Sequence, residues 1–263
     1  MKYIFQRLVK LDGIFFNYFF YSHFKEKRNE KILKKANSHK FFVYYNQDKE
    51  NELTQLSSKY GTNKGGSKQI MVGGKILAPH SYTDFYSHLF MFGKDRAFNL
   101  FECGIGTNNS SLKSTMGQEG QPGASLYMWR EYFPNANIYG GDIDRKILFN
   151  DERIKTFYLD QTSSNSVENF FAETGNQKFE VMIDDGLHEF NAGKTLFMTA
   201  QKYLTESGIY IIEDVSQNDI FKYADWITSL GLNAKFISLY RPNLRINDNN
   251  LIMIEPKRNN EQS

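Results

Sequence analysis

The sequence predicts an α/β fold, in which a mostly parallel sheet of seven strands carries helices on both faces and ends in an antiparallel hairpin. Three observations predict this fold. Short apolar runs alternate with helical stretches from about residue 98 onward, most runs end at a glycine or a carboxylate residue, and a short polar turn separates the last two runs. Strands joined through helices lie parallel, whereas two strands joined by a short turn must pair antiparallel.

The strands are predicted where β-branched and aromatic residues cluster. In chain order they span residues 98–103, 137–142, 153–159, 178–184, 208–213, 234–240 and 250–254. Apolar side chains repeat at helical spacing over residues 125–133, 190–204 and 219–230, and Pro134 ends the first of these helices.

The composition limits the partners of the chain. The 263 residues include 32 Lys and Arg against 30 Asp and Glu, a net charge of +2, so no strong basic field favours nucleic acid. The one cysteine, Cys103, excludes an internal disulfide framework and a zinc site built from cysteines. It fits a reducing compartment, and we expect a cytoplasmic protein. No segment reaches the roughly 18 uninterrupted apolar residues of a membrane span.

The chain is predicted to divide into four segments. Residues 1–50 form a helical N-terminal extension, 51–95 a lid on the substrate side, 96–256 the sheet domain and 257–263 a flexible tail. The extension holds an aromatic run at residues 13–21. We expect this run to pack on the body or on another subunit of a homo-oligomer. The alternative is a helix on a membrane surface, because basic residues flank the rings.

A glycine turn and two strand ends indicate a nucleoside ligand. Gly104 and Gly106 follow the first strand, where two glycines let the backbone approach a ligand closely. Asp142 ends the second strand and is placed to accept hydrogen bonds from ribose hydroxyls. Asp160 and Gln161 end the third strand, where polar side chains would face a base. Taken singly, each of these acids is also typical of a helix N-cap.

A second group of side chains indicates a divalent cation. Asp185 follows the fourth strand, and Glu213 and Asp214 follow the fifth. These strands are neighbours about 4.8 Å apart in the predicted sheet, so the carboxylates converge on an all-oxygen site suited to Mg²⁺, Ca²⁺ or Mn²⁺. The alternative is that Asp184 or Asp214 caps the following helix and that fewer than three carboxylates converge.

His188 lies three residues after Asp185, beside the proposed ion. Its imidazole is placed to take a proton from a substrate hydroxyl that the ion polarises. The alternative is a fourth ligand or a hydrogen-bond partner of a ligand. Upstream, residues 59–65 and 80–86 form a glycine-containing loop and an aromatic helix, which either cover the nucleoside as a lid or pack as ordinary core.

Residues from about 56 to 216 resemble the metal-dependent macrolide- and polyketide-sugar O-methyltransferases, together with their bacterial polysaccharide relatives, within the class I S-adenosylmethionine-dependent methyltransferases. The resemblance implies a Rossmann-like fold. It is carried by Lys59-Tyr60-Gly61-Thr62, His80-Ser81-Tyr82-Thr83, Phe101-Glu102-Cys103-Gly104-Ile105-Gly106, Gly123-Ala124-Ser125-Leu126-Tyr127-Met128-Trp129, Gly141-Asp142-Ile143-Asp144, Asp184-Asp185-Gly186-Leu187-His188 and Ile212-Glu213-Asp214.

The resemblance implies S-adenosylmethionine as the donor and Mg²⁺, or Mn²⁺, as the ion. It implies His188 as the base. The implied ion ligands are Asp185, Glu213 and Asp214, and the implied donor contacts are Tyr60, Glu102, Gly104, Gly106, Asp142, Asp160, Gln161 and Asp184. Leu187 stands where the family usually has a small serine, and the large N-terminal domain of the macrolide enzymes has no counterpart here, so the acceptor is less defined than the donor.

We expect the acceptor to be a sugar hydroxyl of a surface polysaccharide, such as a capsule or O-antigen, or of a glycosylated metabolite. A phosphate-type group on a capsular glycan, such as a phosphoramidate, is the alternative acceptor. A nucleotide-dependent oxidoreductase would need a third glycine and no carboxylate cluster. A scaffold subunit that binds no donor would not need the intact glycine turn.

Overall fold

The computed structural model describes residues 40–45, 50–66, 70–72, 75–77, 79–240 and 248–255. Predictions on the rest of the N-terminal extension, including its aromatic run, and on the 257–263 tail lie outside these residues. Within the described part, residues 40–45 form a strand where the sequence was expected to be helical. No helix in this part is long and apolar enough to cross a membrane.

The predicted α/β fold is confirmed. Its strands are β1 (Lys40–Tyr45), β2 (Ile70–Val72), β3 (Lys75–Leu77), β4 (Asn99–Cys103), β5 (Asn137–Asp142), β6 (Asn150–Asp151), β7 (Ile154–Tyr158), β8 (Phe179–Asp184), β9 (Leu204–Ile212), β10 (Asn233–Tyr240) and β11 (Asn250–Glu255). The main sheet has the order β1-β10-β11-β9-β8-β4-β5-β7-β6, and β2 pairs with β3 in a separate hairpin.

The sheet reproduces the predicted arrangement and extends it at both edges. β4, β5, β7, β8 and β9 pair in parallel, and β10 pairs antiparallel with β11 as the short connection predicted. β8 and β9 are neighbours, which is the pairing that the proposed cation site requires. The edge strands β1 and β6 were not predicted, because β6 is only two residues long and β1 lies among residues that were expected to be helical.

Helices cover both faces of this sheet. They are α1 (Glu52–Tyr60), α2 (Tyr82–Leu89), α3 (Ala124–Tyr132), α4 (Ser164–Glu173), α5 (Phe190–Ala200) and α6 (Asp219–Ser229). Buried residues of α1, α2 and α3 share one apolar cluster with one face of the strands. On the other face, aromatic rings of α4 and α5 contact those of β4 and β9.

The helix α4 was not predicted, although its signal is present in the sequence. Ser163 caps it by accepting a hydrogen bond from the Ser166 N–H at 3.3 Å, and Val167, Phe170 and Phe171 bury at helical spacing. The predicted helix over 190–204 is shorter in the structure. It ends at Ala200, is followed by a single 3₁₀ turn, and β9 begins at Leu204.

Candidate functional site

A cavity of about 360 Å³ opens where β4, β5, β7 and β8 end. Several of its lining residues are predicted functional residues: Gly104, Gly106, Asp142, Asp160, Gln161, Asp185, His188 and Asp214. Parallel strands bring these positions together because their carboxyl ends meet at one edge of the sheet. Among the described residues, the predicted positions Tyr60, Glu102, Asp184 and Glu213 do not line this cavity.

Gly104 is the point where two loops of the site cross. Its φ angle is +82°, and a Cβ atom built on it would lie 2.1 Å from the Asp185 carbonyl oxygen. The Asp185 N–H donates to the Cys103 carbonyl at 2.9 Å, so the loop after β8 is fixed against the turn after β4. Only glycine fits this conformation and this distance.

Asp142 joins the turns that follow β4 and β5. Its Oδ2 accepts a hydrogen bond from the Ile105 N–H at 3.0 Å, and its Oδ1 accepts from the Asp144 N–H at 2.9 Å. Burial raises the pKa of Asp142, and the two backbone donors oppose that rise. The carboxylate lines the cavity, as a ribose ligand would require, and it also holds the walls of that cavity together.

Gln161 connects the turn after β7 to the loop after β8. Its amide nitrogen donates to Asp184 Oδ1 at 3.1 Å, and its amide oxygen accepts from the Leu187 N–H at 2.5 Å. Burial raises the pKa of Asp184 to about 6. Asp160 Oδ1 accepts hydrogen bonds from the backbone and hydroxyl of Thr162. These side chains shape the cavity wall, and their contact with a base remains a prediction.

Two predicted donor contacts lie elsewhere. Tyr60 stacks on Tyr127 at 5.9 Å and donates its hydroxyl hydrogen to Glu131, on the side of α3. Glu102 is fully buried beneath the cavity, where it accepts a hydrogen bond from the Trp129 indole at 2.5 Å. Any effect of Glu102 on a ligand in the cavity is therefore indirect in this structure.

Four carboxylates gather at the carboxyl ends of β4, β8 and β9, with Glu102 still inside β4. This acid cluster consists of Glu102, Asp185, Glu213 and Asp214. Its members are held by long-range donors from the segment that contains α1 and α2, namely Lys64, His80, Tyr82 and Tyr86. The predicted convergence of the carboxylates is therefore present, but each has a protein partner.

Lys64 is the cation inside the acid cluster. It is 1% exposed, and its Nζ lies 2.7 Å from Asp185 Oδ2, 2.5 Å from Glu213 Oε2 and 3.4 Å from Glu102 Oε1. Burial alone would lower its pKa, but the three carboxylates raise that pKa well above its usual value. Burial raises the pKa values of Glu102 and Glu213, and the ammonium group of Lys64 opposes both shifts.

The tyrosines of α2 hold the two carboxylates that follow β9. The Tyr82 hydroxyl donates to Asp214 Oδ1, and the Tyr86 hydroxyl donates to Glu213 Oε1 at 2.5 Å. His80 Nε2 lies 3.3 Å from Asp214 Oδ1. Tyr82, Phe85 and Tyr86 are buried, so this segment packs as core on the sheet and at the same time supplies donors to the site.

These donors were not predicted as functional residues. Residues 59–65 and 80–86 are predicted to form a lid over the nucleoside or ordinary core, and Tyr60 is the one residue of these segments with an implied contact to the donor. The available signal was the presence of a lysine and two tyrosines in segments that otherwise resemble packed helices. Nothing local shows that such polar groups are buried against acids more than a hundred residues away.

His188 faces the outer side of the acid cluster. Its Nε2 lies 3.3 Å from Asp185 Oδ1 and 3.4 Å from Asp214 Oδ2, and its φ angle is +58°. Burial would lower the pKa of His188, but Asp214 and Asp185 raise it to about 10. Asp184 raises the pKa of His188 as well.

The donor set fits a hard divalent cation. One ligand atom each from Asp185, His188 and Asp214 lie within 4.8 Å of one another at the edge of the cavity. The two carboxylate oxygens suit Mg²⁺ or Mn²⁺, whereas an imidazole is more typical of Zn²⁺, Cu²⁺ or Ni²⁺, so Asp185 and Asp214 are the fitting ligands for a hard ion. Glu213, the third predicted ligand, uses both oxygens for Tyr86 and Lys64 in this structure.

Comparison with protein-family models gives no match. Curated relatives match over 62% of the chain. One relative, from Streptomyces olivaceus, is 32% identical over 164 residues. Its name is 8-demethyl-8-(2-methoxy-alpha-L-rhamnosyl)-tetracenomycin-C 3'-O-methyltransferase. The mycinamicin VI 2''-O-methyltransferase of Micromonospora griseorubida is 29% identical over 164 residues. The chain spans 37% and 36% of the length of these two relatives.

Solved structures show the same fold. The MycE methyltransferase of the mycinamycin biosynthetic pathway, in complex with Mg and SAH, has a TM-score of 0.56 at 23% identity. That match covers 81% of this chain and 56% of the other. The chain therefore has a Rossmann-like methyltransferase fold, and its predicted resemblance to the macrolide- and polyketide-sugar O-methyltransferases is confirmed.

Proposed function

We propose that this chain is an S-adenosylmethionine-dependent O-methyltransferase that acts on a hydroxyl group of a sugar. One observation carries the proposal: a carboxylate, an imidazole and a second carboxylate converge at the rim of a cavity that begins at a glycine turn. A donor site and a site that activates a hydroxyl are thereby adjacent. The names of the relatives support sugar hydroxyls as the acceptor class.

The donor would lie in the cavity. Gly104 and Gly106 let the chain pass close to it, and Asp142 offers carboxylate lone pairs to the ribose. Asp160 and Gln161 border the end where the base would lie. Tyr60, Glu102 and Asp184, which the resemblance also implies as donor contacts, are not among the residues that line the cavity.

The divalent cation would be held by Asp185 and Asp214, with Glu213 directly behind them. When bound, such a cation orients a hydroxyl group and stabilises negative charge on its oxygen. Asp185 and Asp214 would hold the proton of His188 less strongly when they also serve as ligands. The chain thus supplies oxygens that place the cation and an imidazole next to the acceptor.

The reaction is an in-line transfer. The acceptor oxygen forms a bond to the methyl carbon while the bond from that carbon to the sulfonium sulfur breaks. S-adenosylhomocysteine leaves as a neutral thioether, and the hydroxyl proton passes to His188 Nε2, which lies at the cavity rim. His188 is therefore the proposed general base.

The acceptor is proposed to be a surface polysaccharide or a glycosylated metabolite. Two of the curated relatives are named for rhamnosyl and olivosyl compounds, which supports a glycan or a glycoside but does not choose between them. Mass spectrometry of surface glycans with and without the protein distinguishes the two. Loss of a methyl ether from the glycan supports the polysaccharide, and an unchanged glycan contradicts it.

Calorimetry and methyl transfer test the activity itself. We expect the purified chain to bind S-adenosylhomocysteine and to transfer a labelled methyl group to glycoside acceptors only with Mg²⁺ or Mn²⁺. Chelation should stop transfer, and added metal should restore it. Absence of donor binding contradicts the whole proposal. Full transfer after exhaustive chelation, with no metal found by elemental analysis, contradicts the cation site alone.

A further inference from the structure

Lys64 occupies a position that the proposed chemistry does not explain. Lysine is rarely fully buried unless it is paired, yet Lys64 is 1% exposed and faces three carboxylates. It lies in the turn after α1, 121 residues from Asp185 and 149 residues from Glu213. A buried ammonium group at this place puts one permanent positive charge among the groups that would bind a divalent cation.

The loop around Lys64 is rigidly held. The Ser57 hydroxyl donates to the carbonyls of Thr62 at 2.9 Å and Gly65 at 3.0 Å, and the Thr83 N–H donates to the Lys64 carbonyl at 3.1 Å. A Cβ on Gly65 would lie 2.1 Å from Thr83 Oγ1. These hydrogen bonds fix the position of the Lys64 backbone. The burial of the Lys64 ammonium group therefore follows from how this loop packs.

The carboxylate oxygens divide into an inner and an outer set. Asp185 gives Oδ2 to Lys64 and directs Oδ1 to His188. Asp214 gives Oδ1 to Tyr82 and directs Oδ2 to His188. The inner set consists of the oxygens held by buried donors, and both oxygens of Glu213 belong to it. The outer set, Asp185 Oδ1 and Asp214 Oδ2, borders the cavity.

We propose that Lys64 is a positioning residue, a built-in cation that fills the inner half of the acid cluster and confines the divalent cation to the outer half. The inference rests on the proposed function, because it takes a divalent cation as the ligand of the cluster. An ion that entered the inner half would have to displace the ammonium group. The outer oxygens lie beside His188, where an acceptor hydroxyl must also lie.

The sign of the electrostatic effect makes this inference testable. A positive charge 2.7 Å from a ligand carboxylate repels an incoming Mn²⁺ ion, because the protein interior screens charges far less than water does. Lys64→Met keeps the length of the side chain and removes the charge. A site that merely lost structural support would bind Mn²⁺ more weakly, whereas a site that lost a competing cation binds it more tightly.

The experiment measures Mn²⁺ affinity by calorimetry with S-adenosylhomocysteine present, and then methyl transfer at saturating Mn²⁺. We expect Lys64→Met to bind Mn²⁺ at least tenfold more tightly and to transfer methyl groups at least tenfold more slowly, because the ion moves inward from the acceptor. Lys59→Met is the matched control. Lys59 lies in α1, pairs with Glu131 at the surface, and should change both values less than twofold.

Equal or weaker Mn²⁺ binding by a folded Lys64→Met variant overturns the inference. If that variant does not fold, the double variant K64M/E213Q removes one charge of each sign. We expect its Mn²⁺ affinity to stay within threefold of the unmodified chain. A loss of tenfold or more would make Glu213 a direct ligand and would overturn the inner and outer division.

The proposed function fails in a different way. If the unmodified chain binds neither S-adenosylhomocysteine nor Mn²⁺, both proposals are overturned. If it binds both and transfers methyl groups, but Lys64→Met binds Mn²⁺ no more tightly, only the role of Lys64 is overturned.

Discussion

The two sides of the cleft satisfy their carboxylates in different ways. On the donor side, Asp142 accepts two backbone N–H groups, and Asp144 accepts the Thr107 hydroxyl at 2.6 Å, all from turns at the ends of β4 and β5. On the other side, Asp185, Glu213 and Asp214 are held by side chains from the α1 and α2 segment, which lie 121 to 149 residues away.

The site thus holds one group of carboxylates with nearby backbone groups and another group with side chains from a distant segment. Hydrogen bonds from backbone N–H groups at a strand end form as soon as the strand and its turn form. The side of the cleft that would bind the methyl donor therefore needs only the sheet and its turns. Side-chain donors that come from another segment require that segment to dock. The donor side should therefore tolerate changes in α1 and α2, and the acid cluster should not.

The largest expected effect separates the two sides completely. His188→Ala should lower turnover by about 10²–10⁴-fold, the usual contribution of a positioned base. Donor affinity should stay within about twofold, because His188 contacts the acid cluster and makes no hydrogen bond to Asp142. Initial rates across a Mg²⁺ titration, with donor calorimetry, provide the measurement. Recovery of the rate at high Mg²⁺ would make His188 a ligand instead.

Gly104→Ala should affect both sides, since the two meet there. The left-handed backbone costs an alanine about 1–2 kcal/mol, and the collision of its Cβ with the Asp185 carbonyl adds a further ~1–3 kcal/mol. Thermal unfolding measures the stability loss, and calorimetry should show weaker binding of both donor and Mn²⁺. Gly175→Ala, whose Cβ would meet only a side chain at 3.7 Å, isolates the cost of the positive φ. Equal losses in the two variants would contradict a special role of the crossing.

Asp142→Ala should affect the donor side alone. Loss of ribose hydrogen bonds to a charged group should weaken donor binding by roughly 2–4 kcal/mol. The Ile105 and Asp144 N–H groups also lose their acceptor, so stability should fall as well. Asp142→Asn keeps one acceptor oxygen and should recover part of both losses. Unchanged affinity for S-adenosylhomocysteine in the alanine variant would remove Asp142 from the donor site.

The smallest expected effect is that of Tyr86→Phe, which removes one donor from the acid cluster. We expect a stability loss of about 1–2 kcal/mol, because the buried Glu213 carboxylate loses a hydrogen bond. Donor affinity should be unchanged. Tyr132→Phe on α3, whose ring packs on Phe133, is the control. Equal losses of stability in the two variants would show that the hydrogen bond to Glu213 does not contribute measurably to the stability of the fold.

The sheet domain was predictable because its signals are local. Alternating runs, glycines and strand-end acids each occupy a few consecutive residues, and the rules of parallel sheets bring them together. The helix α4 was missed although Val167, Phe170 and Phe171 have helical spacing. Its ten residues lie in the connection between the third and fourth predicted strands.

The partners of the acid cluster were not predictable in the same way. The convergence of Asp185 and Asp214 followed from the pairing of β8 with β9, which topology determines. The insertion of Lys64 depends on how the turn after α1 docks on the sheet. The hydrophobic periodicity of the sequence does not predict that docking. The sequence therefore indicated where negative charge gathers, whereas the groups that neutralise it required the structure.

The long sequence separation between Lys64 and its partners also affects how the chain assembles. A chain that has formed its central strands but has not yet docked α1 and α2 gathers four ionised acids at one edge with no lysine among them. Contacts between residues 121 or more apart form late, because the loop entropy is lost before the contact is gained. Repulsion among these carboxylates therefore opposes the docking of α1 and α2 until Lys64 lies between them. Protons or divalent cations that neutralise the carboxylates should speed this last step of folding.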